Sequence, residues 1–177
     1  MTRRVAIAGL VLALAAVPAG ATGATKPKKI DGTAVISFKG VGPITLGMTI
    51  AQARKAAGHG IVGGSEVTPG CRQDTVLPKR FGLTTLRMKG KIRVLYVSRT
   101  AMPTAKGIRV YDTLARLEAK YGSKLSERPS DVSSTDRVFV VTSGSREMTF
   151  TVSGDTGRIS EIATGLKPEV DFSEHCS

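Results

Sequence analysis

The chain's reactive chemistry is concentrated in four side chains. Two cysteines, Cys71 and Cys176, and two histidines, His59 and His175, supply all the thiol and imidazole groups in 177 residues. An imidazole beside a thiol can activate it as a nucleophile, and His175 directly precedes Cys176. In an oxidising compartment an even pair of cysteines more often closes a disulfide, which removes that chemistry. Two free thiols are the other reading. Their separation of 105 residues is unlike the short ligand pairs of zinc sites. Neither histidine belongs to a His-Glu-x-x-His arrangement, and the chain has no Gly-x-Ser-x-Gly elbow, phosphate loop or dinucleotide fingerprint, which argues against the enzymes those motifs mark. Asp155, Glu161 and Glu169 are scattered, and Gly154-Asp155-Thr156-Gly157 lacks the alternating oxygen ligands of a calcium loop. His59 follows Gly58 at a helix end, where a cation suits the dipole. The expectation is no catalytic set, no metal site and no cofactor.

What the chain does concentrate is positive charge. Residues 25–110 carry 16 Lys and Arg against 3 Asp and Glu, and residues 111–177 carry 8 against 11. Within the basic half, Arg87, Lys89, Lys91 and Arg93 alternate with Leu86, Met88, Ile92 and Val94. Strand geometry sends alternate residues to opposite faces, so a tight hairpin here is expected to put four cations on one face. Such a strip could dock phosphate or carboxylate groups. It could equally be a solvated face that discourages edge-to-edge pairing.

The elements that must position these residues begin after a leader. Arg3 and Arg4 precede an apolar run, Val5–Val17, and Pro18 and small residues follow. This is the grammar of a secretory signal peptide over residues 1–24, with cleavage after Ala21 or Ala24. The run is too short to span a bilayer, which takes about 20 residues. The mature chain is expected to have no transmembrane segment. The arginine pair alone does not choose between general and twin-arginine export. Residues 25–34 are polar and basic and read as a flexible leader.

Beyond it, residues 44–58 (ITLGMTIAQARKAAG) and 108–122 (IRVYDTLARLEAKYG) align without a gap. Thr49 and Thr113 are helix caps, with Gln52 completing a capping box in the first copy. Ile50, Ala53 and Ala57 share one helix face, as do Leu114, Leu117 and Tyr121. Gly58 and Gly122 are stops. Each helix is followed by a loop, at His59–Arg80 and Ser123–Asp136, and then by strands. Those strands are expected over Thr84–Lys89, Ile92–Ser98, Arg137–Thr142, Glu147–Ser153 and Arg158–Thr164. Met148, Phe150 and Val152 alternate onto one face. The expected fold is α+β, with two tandem repeats over residues 35–106 and 107–177. Each is a short helix on a small antiparallel sheet whose outer face is left for solvent or a partner.

The segment Gly42-Pro43-Ile44-Thr45-Leu46-Gly47-Met48-Thr49, with its helix and Gly58, resembles the opening of a family of secreted actinobacterial-type proteins of unknown role. Their second copy usually carries Gly-Asp-Thr and their C-terminus an acidic residue followed by Gly-Cys. Here the matching positions are Tyr111-Asp112-Thr113 and Glu174-His175-Cys176, one residue different in each. By position the resemblance implies a Cys71–Cys176 bridge. More distantly, the tandem arrangement is similar to beta-lactamase inhibitory protein and to outer-membrane assembly lipoprotein modules, which implies protein binding through an open sheet face.

These readings converge on an exported, non-catalytic binding or envelope-associated protein. Its expected partner is an extracellular protein rather than nucleic acid. The alternatives are a basic adhesive module for anionic wall polymer or lipid, built on Arg87, Lys89, Lys91 and Arg93, and a small secreted hydrolase.

Overall fold

The computed structural model describes residues 30–130 and 133–170. The expected signal peptide, residues 25–29 of the leader, His175 and Cys176 lie outside the described residues. Within them the fold is α+β: two short helices, a three-stranded sheet and an eight-stranded sheet.

Three two-residue strands come first: β1 (Ile36–Ser37), β2 (Gly40–Val41) and β3 (Ile44–Thr45). Ile36, Val41 and Ile44 are fully buried, so this small sheet is a lid on the core. It is tied down by backbone bonds, Gly47 N–H to Ile92 O at 2.7 Å and Ile92 N–H to Met48 O at 2.8 Å. The Thr164 hydroxyl adds a bond to Ser37 O at 2.9 Å. Burial begins earlier than the expected end of the leader. Ile30 and Ala34 belong to the core, and Ile30 N–H donates to Ala57 O at 3.1 Å. An isolated isoleucine in a basic stretch gives no period to read, so its burial is invisible until the chain is folded.

Helix α1 (Ile50–Ala57) opens with the expected capping box, in which Gln52 N–H donates to Thr49 Oγ1 and Thr49 N–H to Gln52 Oε1. It closes on Gly58 at φ 64°, a conformation that costs glycine nothing. Ala53 and Ala57 are buried and Ile50 is half-buried. The small alanines let the helix lie close to the sheet. Helix α2 (Leu114–Tyr121) is capped by Thr113, which accepts from Arg116 N–H, and buries Leu117 and Tyr121.

After α1 come β4 (Ile61–Thr68), β5 (Cys71–Val76), β6 (Leu83–Met88) and β7 (Lys91–Val97). After α2 come β8 (Ser126–Pro129), β9 (Arg137–Ser143), β10 (Arg146–Val152) and β11 (Ile159–Leu166). Each set is an antiparallel meander. The two do not stay apart as small sheets. They join edge to edge, with Ile162 opposite Val97 and Gly165 opposite Val94, into one sheet of order β4-β5-β6-β7-β11-β10-β9-β8.

Three of these strands fall where the sequence reading expects loop: β4, β5 and β8. Glycine misleads there. The ladder between β4 and β5 is irregular between Gly63 and Glu66. A Cβ on Gly64 would stand 1.9 Å from Gln73 O. Gly64 therefore marks a close approach inside a strand rather than a break in it.

One face of the large sheet lies under both helices and the small sheet. Leu83, Leu95, Val97, Phe139, Met148, Phe150, Val152, Ile159 and Ile162 form a single buried cluster with Ala53, Ala57, Leu117 and Tyr121. Met148, Phe150 and Val152 share that face, as their alternation requires. Tyr121 and Phe150 meet at 5.3 Å between ring centroids, with planes tilted by 55°, a favoured edge-on arrangement.

Candidate functional site

The opposite face of the large sheet carries a second, smaller buried cluster: Cys71, Leu86, Val94, Tyr96, Ala163 and Val170, with Met88 packed against it. No residue of either helix belongs to it. Register accounts for its membership. Cys71 pairs with Met88, Leu86 with Val94 and Tyr96 with Ala163, and paired residues point the same way. The cluster therefore covers the outer side of β5, β6, β7 and β11.

Farther along the same side the surface turns polar. Thr149 pairs with Ala163 and with Val140, and Thr151 pairs with Glu161 and with Val138. Thr142 donates to Glu147 at 3.0 Å, and Lys167 Nζ stands 2.7 Å from the same carboxylate oxygen. Glu161 is half-buried. Among the described residues its carboxylate has no hydrogen-bond or ion-pair partner. Burial pushes its carboxyl up to about 7. Burial, and secondarily the charge of Glu161, also holds the Tyr96 phenol far above its ordinary value. On this half of the outer face Thr149, Val140 and Glu147 are buried, and Thr151 and the poorly solvated Glu161 are half-buried. Glu161 can accept a cation or a hydrogen-bond donor there.

The four cations singled out from the sequence do not form one strip. Between Leu86/Val94 and Arg87/Ile92 the register shifts, so β7 spends two residues against one on β6. Arg93 is the extra residue. The bulge reverses the alternation. Ile92 points into the main core, while Val94 points to the outer cluster. Arg87, opposite Ile92, therefore lies on the core side. Its Nε donates to Asp74 Oδ2 at 3.2 Å and its Nη2 to Oδ1 at 3.3 Å. Asp74 is 1% exposed, and Gly63 stands opposite it on β4. Arg93 reaches Glu169, with Nε 3.0 Å from Oε1. Lys89 is not in a strand: it holds φ 49° at the hairpin tip beside Gly90. Lys91 is exposed and pairs with Met88. Two of the four charges are thus neutralised by carboxylates, and the remaining two stand at the hairpin end.

His59 has a structural bond. Its Nε2 lies 3.0 Å from Ile30 O, and a carbonyl only accepts, so Nε2 carries the proton. Cys71 is 2% exposed; there is no free cysteine among the described residues. No three His, Cys, Asp or Glu side chains among the described residues converge on a cation-sized site. No described helix is long and apolar enough to cross a membrane.

Two features escape the sequence. Glu161 sits in a strand that reads as ordinary alternation, and only the packing around it shows its desolvation. Tyr111 holds φ 72° and is 57% exposed. Glycine is the residue that adopts this conformation without strain. Its carbonyl accepts from Arg158 Nη1 at 2.9 Å and its N–H donates to Ile159 O at 2.8 Å. The sheet thereby holds an exposed aromatic in an unfavourable conformation.

No family model matches the chain, and no curated protein matches it in sequence. Among solved structures, the crystal structure of the uncharacterized protein yfeY from Escherichia coli is similar. The TM-score is 0.51 and the identity 16%, over 74% of this chain and 99% of that one. Identity at this level makes the likeness one of fold.

Proposed function

We propose that this chain is an exported, non-catalytic binding module that meets a protein partner through the outer face of its large sheet. One observation carries the reading: the helices and the small sheet all cover one face, and no helix residue joins the cluster on the other. Glu161, half-buried and without a polar partner among the described residues, and the half-buried Thr151 opposite it suit a protein surface better than a small molecule. The order helix, four-stranded meander, helix, four-stranded meander supports reading the chain as two tandem copies of one unit. Export follows from the leader grammar of residues 1–24, and a Cys71–Cys176 bridge follows from cysteine count, compartment and the resemblance.

Affinity capture with the mature protein, against the envelope and secreted proteins of the producing cell, tests the reading. Retention of one defined partner is expected, insensitive to salt and abolished by Thr151→Arg. Steep loss of all retention with rising ionic strength would instead favour polymer or lipid adhesion. That adhesive reading now rests on Lys89 and Lys91, since Arg87 and Arg93 are paired.

A further inference from the structure

Among the described aromatic residues, Tyr111 is the one the fold leaves in solvent. The others are buried or packed against the main core, whereas Tyr111 is 57% exposed. Among the described residues its ring stacks on no other ring or cation, and its hydroxyl has no hydrogen-bond partner. Its backbone holds φ 72°, a conformation that strains a residue with a Cβ and leaves glycine unstrained. Lys89 also has a positive φ, but there the two-residue turn between β6 and β7 demands it. At Tyr111 no polar or ring contact of the side chain offsets the strain. Such strain on an exposed aromatic has its use outside the fold.

The backbone beneath the ring is fixed. β7 ends at Val97, opposite Ile162, and residues 111–113 take the place it vacates beside the start of β11. Tyr111 N–H donates to Ile159 O at 2.8 Å, Ile159 N–H to Asp112 O at 3.0 Å, and Thr113 bridges to Arg158. Arg158 Nη1 closes on Tyr111 O, and α2 follows at Leu114. A side chain carried on a backbone ordered in advance loses little freedom on binding.

The surroundings are cationic. Arg109, Arg116 and Arg158 are exposed. Arg109 Nη1 is steadied by Thr100 O at 3.0 Å and Ala101 O at 2.8 Å. Exposed Arg80 and Arg99 stand at the same end of the sheet, in the connections before Leu83 and after Val97, which pair. Of the described acids at this end, Asp112 accepts from Arg109 N–H and Asp136 from Gly154 N–H; Asp155 is the third. A tyrosine among arginines is the composition of residues that anchor protein interfaces.

We propose that Tyr111 anchors a second contact surface, at the end of the sheet where β7 stops and β11 starts, for an acidic protein segment. The partner seats the ring in an apolar pocket whose rim of carboxylates meets Arg109, Arg116 and Arg158. The arginines alone would serve for an anionic polymer, which gives a single fixed ring nothing to enter. This surface is at the end of the sheet rather than on its outer face, so it stands independently of the outer-face reading.

Selection from a random-peptide display library on the mature protein tests this. Expected are peptides in which Asp or Glu flank an apolar residue. Tyr111→Gly and Tyr111→Asn should bind them about tenfold more weakly or worse. Tyr111→Phe should keep most of the affinity, because the ring fills the pocket. Amide shifts on peptide addition should centre on residues 109–116 and Arg158. Glycine and asparagine both enter this backbone conformation readily, so the urea midpoints of those two variants should be no lower than that of the natural chain. A clear fall in both midpoints would give the ring a structural role and overturn the proposal. Acidic peptides held equally by the natural chain and both variants would overturn it as well. Shifts confined to Thr151, Glu161 and their neighbours would overturn it and support the outer-face reading instead. Selection of no peptide also overturns it, and Tyr111-dependent binding to phosphatidylglycerol vesicles would then assign the ring to a lipid surface.

Discussion

Asp74 and Arg87 show how a residue's meaning depends on its opposite number. From sequence Arg87 is one of four like charges; in the fold it is the counter-charge of an aspartate that is 1% exposed. Removing one member of such a pair leaves the other uncompensated in a poorly solvated place. Arg87→Ala is therefore expected to cost about 3 kcal/mol in urea unfolding. Lys91→Ala, at an exposed position, should change stability by less than about 0.5 kcal/mol. Glu161 makes the opposite case. Its carboxyl is pushed up to about 7 by burial, above its value in the unfolded chain, so the folded state holds the proton more tightly. That contribution is fully present below about pH 4.5 and is lost as pH rises through about 7. Glu161→Gln should flatten the fall in stability across this window. At pH 8 it should gain at most about 2 kcal/mol, because solvent screens the exposed part of the group. Equal pH profiles for the two proteins would refute the assignment.

At the scale of the element, the helices are short and local signals define them. Eight residues are too few for a helix to persist on propensity alone. Caps set the ends of α1, and burial of Ala53 and Ala57 holds it in place. Thr49→Ala removes the hydroxyl that accepts from Gln52 N–H, leaving the backbone N–H of residue 49 to Gln52 Oε1, and is expected to lower stability by about 1 kcal/mol in denaturant melts. Thr49→Ser should retain nearly all of it. The strands are less local. β4 and β5 carry glycines and polar residues, yet they pair because β6 gives β5 a complete edge and Gly64 permits a close crossing. β8 is a four-residue edge strand ending at Pro129, a residue tolerated where no ladder bond is needed. The bulge at Arg93 is the most consequential local feature. It turns Ile92 to the core and Val94 to the outer cluster, while the two-residue turn at Lys89 and Gly90, which pairs Met88 with Lys91 and Arg87 with Ile92, puts Arg87 and Lys91 on opposite faces.

At the scale of the molecule, the joining of β7 to β11 turns two meanders into one sheet. Residues from both halves then share one cluster, with Ala57 and Val76 from the first and Leu117 and Phe150 from the second. A shared core couples their unfolding. Calorimetry is expected to show a single transition, with van't Hoff and calorimetric enthalpies equal. Two resolved transitions would mean that the halves are independently stable.

The sequence by itself determined what depends on neighbours along the chain. It set the capping box of α1 and the N-cap of α2, the glycine that stops α1, the apolar alternation of β10 and the α+β class, because hydrogen bonds and periodicities of a few residues are written in consecutive letters. Tertiary structure alone decided what depends on register. It decided whether two meanders fuse, which face each cation of the β6–β7 hairpin occupies, that Ile30 is core, and that Glu161 is poorly solvated. The reason is physical: side-chain direction in a sheet has a period of two. One bulged residue therefore inverts every assignment beyond it, and the position of that residue is settled only by the strand that pairs with it.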